Sequence, residues 1–163
     1  VGIDVGDAHV AVLGAGGAAR SVIDALGRAG SNDITVLNRT LVHAESAATL
    51  ASAASVGAMA DISRADIVVN ATKVGMGVDP VRSSPDDLPC DPALLRAEQV
   101  VVDLVYHPLN TAWLTAARAL GARTVDGLGM LIHQAALQQE RWIGIRPGTM
   151  VMRAAAEAAL ADR

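Results

Sequence analysis

The sequence predicts an α/β fold, a doubly wound parallel sheet with helices on both faces, and three observations support this. Short apolar runs alternate with longer amphipathic or alanine-rich segments along the chain. A glycine-rich turn follows the first apolar run, and further groups of polar, aromatic or glycine residues stand where four later apolar runs end. Such alternation is typical of strand–helix–strand units, which build parallel sheets through right-handed crossovers.

The first strand and helix carry the clearest signal. Residues 10–13 form an apolar run that is too short for a helix and predicts a strand buried on both faces. Gly14, Gly16 and Ala19 then give the pattern G-x-G-x-x-A. In dinucleotide-binding folds the two glycines allow a tight turn and the approach of a pyrophosphate, while the third small residue packs helix on strand. Residues 17–29 have one apolar and one charged side, which predicts the helix.

The remaining elements follow in order. Five further strands are predicted at residues 34–37, 56–59, 66–71, 100–105 and 123–125, so we expect six in all. Further helices are predicted at residues 41–55, 110–120, 127–142 and 147–161. Four prolines between residues 80 and 92 predict an irregular connection before the fifth strand.

Composition narrows the range of functions. The chain has 163 residues, 52% of them hydrophobic, which suits one globular domain. Its 13 basic and 17 acidic residues form no basic cluster, so we expect no nucleic-acid or membrane partner. One cysteine, Cys90, excludes an internal disulfide and favours the cytoplasm. The histidines and Cys90 lack metal-ligand spacing, so no metal site is predicted.

Five loops are expected to meet at the carboxyl ends of the strands, where ligands bind in open parallel sheets. Their residues are 14–17, 38–40, 72–76, 106–108 and 126–129. The second of these loops indicates which dinucleotide binds. NAD-binding folds usually carry an acidic residue at this point, whereas Arg39 stands here between Asn38 and Thr40. A guanidinium matches a 2′-phosphate, so NADP is favoured; the alternative is that Arg39 is a solvated charge that opens a helix.

Five motifs together resemble the cofactor-binding half of the shikimate dehydrogenase family. They are Gly-Ala-Gly-Gly-Ala-Ala-Arg at 14–20, Asn-Arg-Thr at 38–40, Asn-Ala-Thr-Lys-Val-Gly-Met at 70–76, Asp-Leu-Val-Tyr at 103–106 and Asp-Gly-Leu-Gly-Met-Leu-Ile-His-Gln-Ala at 126–135. The resemblance implies a Rossmann-type NADP-binding domain over residues 1–126. It also implies that residues 127–163 form helices that contact an N-terminal substrate domain absent from this chain. Members reduce 3-dehydroshikimate to shikimate with NADPH, on the route to chorismate and the aromatic amino acids.

The resemblance assigns site residues by position. The implied cofactor-binding residues are Gly14, Ala15, Gly16, Gly17, Ala18, Ala19, Asn38, Arg39, Thr40, His43, Thr72, Leu104, Gly127 and Met130. Tyr106 and Gln134 are implied to bind shikimate. Independently of the resemblance, Gly127, Met130 and Gln134 have the spacing of one helix face. Without the resemblance, Met130 is interpreted as an ordinary core residue and Gln134 as a polar residue at the edge of the helix.

Two departures from the family pattern qualify the expected activity. His43 stands where the family often has a basic residue, so the preference for NADP is expected to be weaker and to depend on pH. The family's catalytic lysine and aspartate belong to the substrate domain, so no catalytic residue is predicted in this chain. Lys73, its only lysine, is interpreted as a solvated loop charge. The chain alone is expected to bind NADP and to turn over shikimate poorly or not at all.

Several alternatives stay open at this point. The chain could be a non-catalytic NADP-binding module, or part of a dehydrogenase that acts on quinate or another substrate. Asp103 could be a catalytic acid or could fix the loop that follows it by hydrogen bonds. A monomer or homodimer is expected, and the apolar residues Trp142, Ile143, Met150 and Met152 could cause pairing.

Overall fold

The computed structural model describes residues 4–161 and contains one six-stranded, all-parallel sheet. Its strand order is β3-β2-β1-β4-β5-β6. The strands are β1 (His9–Leu13), β2 (Asp33–Leu37), β3 (Ala54–Val56), β4 (Ile67–Asn70), β5 (Val100–Asp103) and β6 (Arg123–Val125). The order reverses between β1 and β4, and ligands of doubly wound sheets bind at this switch point. The predicted Rossmann-type α/β fold with six strands is confirmed.

Five α-helices accompany the sheet in the described part of the chain. They are α1 (Gly17–Arg28), α2 (Leu41–Ala48), α3 (Ala112–Ala119), α4 (Leu128–Ile143) and α5 (Thr149–Ala161). Short 3₁₀ helices at Met59–Arg64, Pro85–Asp87 and Pro92–Leu94 replace the crossover α-helices before β4 and β5. Among residues 4–161, no helix combines the length and apolar character needed to cross a bilayer.

Alternate strand residues pack into two separate cores. On one face, Val10 and Val12 of β1 pack with Ile23 of α1 and with α2. On the other face, Ala11 and Leu13 pack in the same core as Ile62 of the first 3₁₀ helix and Trp113 of α3. Both faces of β1 are therefore covered, as its unbroken apolar run predicts.

The segment between β2 and β4 differs from the prediction. The helix predicted at residues 41–55 ends at Ala48, and the strand predicted at 56–59 is instead Ala54–Val56. Residues 54–56 pair with β2 in parallel register, so sheet hydrogen bonds outweigh the helix propensity of the alanines. Gly57 follows the strand, and a Cβ there would lie 2.3 Å from Cγ2 of Thr35 and 2.6 Å from Oδ2 of Asp61.

Cys90 lies in the second core and is only 5% exposed. Burial raises the pKa of its thiol to about 11. Because the thiolate is the reactive species, we expect Cys90 to resist alkylating reagents near neutral pH in the native chain and to react readily in urea. Mass spectrometry after timed iodoacetamide treatment measures this, and rapid native labelling would contradict the buried position.

Candidate functional site

A cavity of about 420 Å³ lies at the carboxyl ends of the strands, at the switch point between β1 and β4. All five predicted loops contribute to its lining. The predicted site residues that line it are Gly14, Ala15, Gly16, Gly17, Ala18, Asn38, Thr72, Leu104, Tyr106, Gly127, Met130 and Gln134. Residues separated by more than a hundred positions in sequence thus meet in one crevice.

The glycine-rich turn forms one wall of this cavity. Gly14 has a φ of +114°, and a Cβ there would lie 3.0 Å from the Ala71 carbonyl oxygen, so only glycine suits the turn. Its N–H donates a hydrogen bond of 2.7 Å to the Leu37 carbonyl. Around Gly16 and Gly17, a Cβ would meet no atom within 4 Å. The backbone of these two residues is therefore open to a ligand in the cavity.

The N-terminus of α1 opens beside this turn. Gly16 is its N-cap, no side chain caps it, and its first turn contains no acidic residue. The first N–H groups of a helix lack intrahelical acceptors and, with the helix dipole, favour an anion. Ala19 does not line the cavity because it is buried between α1 and the sheet. Its small side chain contributes helix–strand packing.

A second cavity of about 650 Å³ adjoins the first and shares Gly14, Asn38 and Thr72 with it. Arg39 lines this second cavity and is exposed. The Asn38 side chain donates a hydrogen bond of 2.9 Å to the Thr40 carbonyl and thereby holds the turn between β2 and α2. None of the described residues that line either cavity is Asp or Glu. The surroundings of Arg39 therefore suit an anionic ligand.

Thr40 and His43 lie at the start of α2 and line neither cavity. Thr40 is the N-cap of the helix, and its hydroxyl makes no capping hydrogen bond. His43 follows in the first turn and is exposed. Both residues are therefore exposed to solvent and follow Arg39 in the chain, at a helix N-terminus whose first turn contains no acidic residue.

The opposite wall of the first cavity is formed by the end of β5 and the first turns of α4. Gly127, Met130 and Gln134 line it together, as their spacing predicts. A Cβ on Gly127 would lie 2.4 Å from the Leu104 carbonyl oxygen, so α4 begins in direct contact with the β5 loop. Tyr106 and Gln134 are exposed at the rim, while Leu104 and Met130 are half-buried.

Asp103 lies at the end of β5 and is fully buried. Its carboxylate accepts hydrogen bonds from the Asn70 side chain, the Val105 N–H and the Thr111 hydroxyl, at 2.9, 3.0 and 2.8 Å. Burial raises the pKa of this carboxyl, and the three hydrogen bonds partly offset the rise. Asp103 does not line the cavity. Of its two predicted roles, the geometry supports the fixing of the following loop.

Several lining residues were not among the predicted site residues. They are Ala71, Lys73, Met76 and Leu131. Lys73 is exposed, as the prediction of a solvated charge requires, but it also lies at the edge of the cavity. The position of Lys73 in the Asn-Ala-Thr-Lys-Val-Gly-Met motif is the sequence signal that could have identified it as a lining residue. Within residues 4–161, no group of His, Cys, Asp and Glu side chains could hold a metal ion.

Two family models match the chain. The model described as shikimate / quinate 5-dehydrogenase matches residues 2–78, and that of the shikimate 5′-dehydrogenase C-terminal domain matches residues 127–157. The chain belongs to the shikimate/quinate dehydrogenase family. The two matched ranges contain the glycine-rich turn and the first turns of α4, which form opposite walls of the cavity.

Relatives within the shikimate/quinate dehydrogenase family are longer than this chain. A shikimate dehydrogenase (NADP(+)) of Mesorhizobium japonicum is 45% identical over 144 residues, which are 83% of this chain and 48% of the relative. Shikimate 5-dehydrogenase of Thermus thermophilus, solved with NADP(H) and shikimate, has 39% identity and a TM-score of 0.81 over 93% of this chain and 55% of its own. Quinate dehydrogenase of Corynebacterium glutamicum, solved with NAD, has 32% identity and a TM-score of 0.80 over 94% and 55%. The chain spans about half the length of the relatives that it matches.

Proposed function

We propose that the chain is the coenzyme-binding part of an NADP-dependent shikimate dehydrogenase, an oxidoreductase that reduces 3-dehydroshikimate to shikimate. The observation that carries this proposal is the meeting of the glycine-rich turn and Arg39 in two adjoining cavities. The name of the Mesorhizobium relative, which includes NADP(+), supports the choice of coenzyme.

The residues present fit this coenzyme. The open backbone at Gly16 and the N-terminus of α1 would hold the pyrophosphate, and Arg39 with the turn at Asn38 would hold the 2′-phosphate. Leu104, Gly127 and Met130 would bound the nicotinamide. The coenzyme itself supplies the hydride.

This chain's share in the reaction is to bind and orient. Tyr106 and Gln134 at the rim would donate hydrogen bonds to hydroxyl or carboxylate oxygens of the substrate. We infer that proton transfer to the substrate oxygen falls to the second, substrate-binding domain. The chain alone would then bind coenzyme with little turnover.

Titration of the purified chain with NADPH and with NADH, followed by the fluorescence of the reduced nicotinamide, tests the proposal. We expect saturable binding of both, with the phosphorylated coenzyme bound more tightly. Failure to bind either coenzyme, or tighter binding of NADH by the unaltered chain, would overturn the proposal. Binding without any activity after the substrate domain is supplied would favour a non-catalytic NADP-binding module.

We also propose that His43, in the first turn of α2, contacts the 2′-phosphate. A neutral imidazole can donate one hydrogen bond to a phosphate oxygen. We expect His43→Ala to weaken the binding of NADPH and to leave the binding of NADH unchanged, as separate titrations with the two coenzymes measure. Unaltered NADPH affinity in the variant would contradict a place for His43 in the site.

A second domain is proposed to cover the apolar junction of α4 and α5. We infer that residues 1–126 form the coenzyme domain and that the helices of residues 127–163 contact an N-terminal substrate domain. Five large apolar residues are exposed at this junction: Trp142, Ile143, Ile145, Met150 and Val151. Met152, expected to join them, is half-buried. An exposed apolar patch of this kind marks a contact surface.

Without a partner, this junction is expected to make the chain pair with itself. Replacement of both Trp142 and Met150 by glutamine should shift the chain towards monomer in sedimentation experiments. Val81, 92% exposed in the connection between β4 and β5, provides the matched control as Val81→Gln. A monodisperse monomer at high concentration of the unaltered chain would argue against the contact surface.

Two substrates, shikimate and quinate, fit the family to which the chain belongs. The quinate dehydrogenase solved with NAD has nearly the same structural similarity as the shikimate enzyme, so quinate is the second candidate. Most substrate contacts would lie in the second domain, and assays of the complete enzyme with both substrates separate the two. We also propose a cytoplasmic location, which suits a buried free thiol at Cys90.

A further inference from the structure

We propose that Asp103 is a positioning residue that fixes two walls of the coenzyme cavity relative to each other. One wall is the loop that carries Thr72, and the other is the turn that carries Leu104 and Tyr106. The inference deepens the proposed function and rests on it where coenzyme affinity is concerned. The hydrogen-bond geometry that carries it is independent of the ligand.

The first arm of the arrangement runs from Asp103 through Asn70 to Thr72. The Asn70 amide donates to Oδ1 of Asp103 at 2.9 Å. Its own Oδ1 accepts the Thr72 N–H at 3.0 Å and the Thr72 hydroxyl at 2.7 Å. The Thr72 hydroxyl oxygen in turn accepts the Val74 N–H at 3.1 Å. The position of the β4 loop is thereby tied to the Asp103 carboxylate.

The second arm is shorter and reaches the other wall directly. Oδ1 of Asp103 also accepts the Val105 N–H at 3.0 Å, and Val105 stands between Leu104 and Tyr106. The Val105 carbonyl accepts the Gly127 N–H at 3.3 Å, which continues the connection to the start of α4. A single carboxylate oxygen thus receives one hydrogen bond from each wall.

The third arm anchors the carboxylate. The Thr111 hydroxyl donates to Oδ2 of Asp103 at 2.8 Å, and its oxygen accepts the Leu114 N–H at 3.2 Å as the N-cap of α3. The carboxylate is therefore held against a helix that packs in the core. A buried charge is costly unless it is fully hydrogen-bonded, and three donors converge on this one. An apolar residue at position 103 would avoid that cost but could not accept a hydrogen bond from either wall.

Two backbone hydrogen bonds also join the two sides: the Leu104 N–H donates to the Asn70 carbonyl at 3.0 Å, and the Gly77 N–H donates to the His107 carbonyl at 2.8 Å. Neither bond involves Thr72 or Val105, whose N–H groups depend on the Asn70 and Asp103 side chains. Loss of Asp103 should therefore loosen the walls near the cavity without separating the loops entirely. The predicted consequence is a less uniform position of Tyr106 and weaker coenzyme binding in a chain that still folds.

Fluorine NMR of the chain labelled with 3-fluorotyrosine tests the position of Tyr106, because this is the chain's only tyrosine. We expect one resonance from the unaltered chain and a shifted or multiple resonance from Asp103→Ala. In the same variant, NADPH affinity should fall about tenfold, the loss expected when hydrogen bonds to a ligand are misplaced. Asp103→Asn keeps an oxygen that can accept from Asn70 and Val105, and it should restore both readouts.

Thr111→Val is the matched control, because it removes the anchor and the N-cap of α3 without untying the walls. It should lower stability and leave the Tyr106 resonance single. An unchanged resonance in Asp103→Ala, or an equal change in Thr111→Val, would overturn the positioning role. If Asp103→Ala does not fold, Asn70→Ala provides the second test, because it removes the side chain that holds the Thr72 loop. Unaltered NADPH affinity in Asn70→Ala would refute the first arm. If the unaltered chain bound no coenzyme, the proposed function would be overturned. The Tyr106 resonance would still test the positioning role of Asp103.

Discussion

Replacement of Arg39 by aspartate is expected to reverse the coenzyme preference of the chain. Arg39 lines the cavity next to the glycine-rich turn, and none of the described residues that line this cavity is acidic. A charge-assisted hydrogen bond contributes about 1.5–3 kcal/mol, so loss of the guanidinium should weaken NADPH binding by about 10- to 150-fold. Aspartate would also repel the 2′-phosphate and accept hydrogen bonds from the ribose hydroxyls of NADH.

Dissociation constants of NADPH and NADH for the same variants measure the reversal. Arg39→Ala should weaken NADPH alone, whereas Arg39→Asp should also tighten NADH. Arg39→Lys keeps the charge without the planar, bidentate donor group and should fall between the unaltered chain and Arg39→Ala. Arg82, exposed and paired with Asp79, controls for the general loss of positive charge as Arg82→Ala. A parallel loss of affinity for both coenzymes in Arg39→Ala would contradict a contact with the 2′-phosphate.

The parts of the fold that the sequence predicts well are those in which local pattern and tertiary packing agree. The runs at β1 and β4 are unbroken because both of their faces are covered. The alanine-rich segment after residue 41 misleads for the opposite reason. Its helix propensity extends past Ala48, but pairing of residues 54–56 with β2 draws the chain into the sheet. Such pairing is a long-range contact that local propensity does not report.

The features of the candidate site likewise divide into those that a local motif predicts and those that depend on long-range contacts. The glycine-rich turn and Arg39 are predictable because each is a local motif at the end of a strand. The link between Asn70 and Asp103 joins residues 33 positions apart and depends on the register of β4 against β5. Sequence spacing predicts that Gly127 and Met130 share a face, but not that α4 begins against the Leu104 carbonyl. These long-range contacts set the geometry within which the local motifs act.

Gly127→Ala is expected to destabilise the chain and to disturb the nicotinamide wall of the cavity. Gly127 has an ordinary helical backbone with a φ of −77°, so conformational strain is not the reason. The added Cβ would lie 2.4 Å from the Leu104 carbonyl oxygen and 2.6 Å from that of Val105. Both contacts are with backbone, which cannot move aside as a side chain can. Overpacking of this kind costs about 1–3 kcal/mol or more, visible as a lower urea midpoint.

Gly129, two residues further along, provides the matched control. A Cβ there meets only the end of the flexible Arg153 side chain, at 3.5 Å. Because alanine is a better helix former than glycine by up to about 1 kcal/mol, Gly129→Ala should leave stability unchanged or raise it. The same substitution in the same helical turn is thus predicted to have opposite effects, and only Gly127→Ala should weaken NADPH binding. Equal stability of the two variants would show that the β5 loop yields to the added methyl group, and that α4 is not held against it.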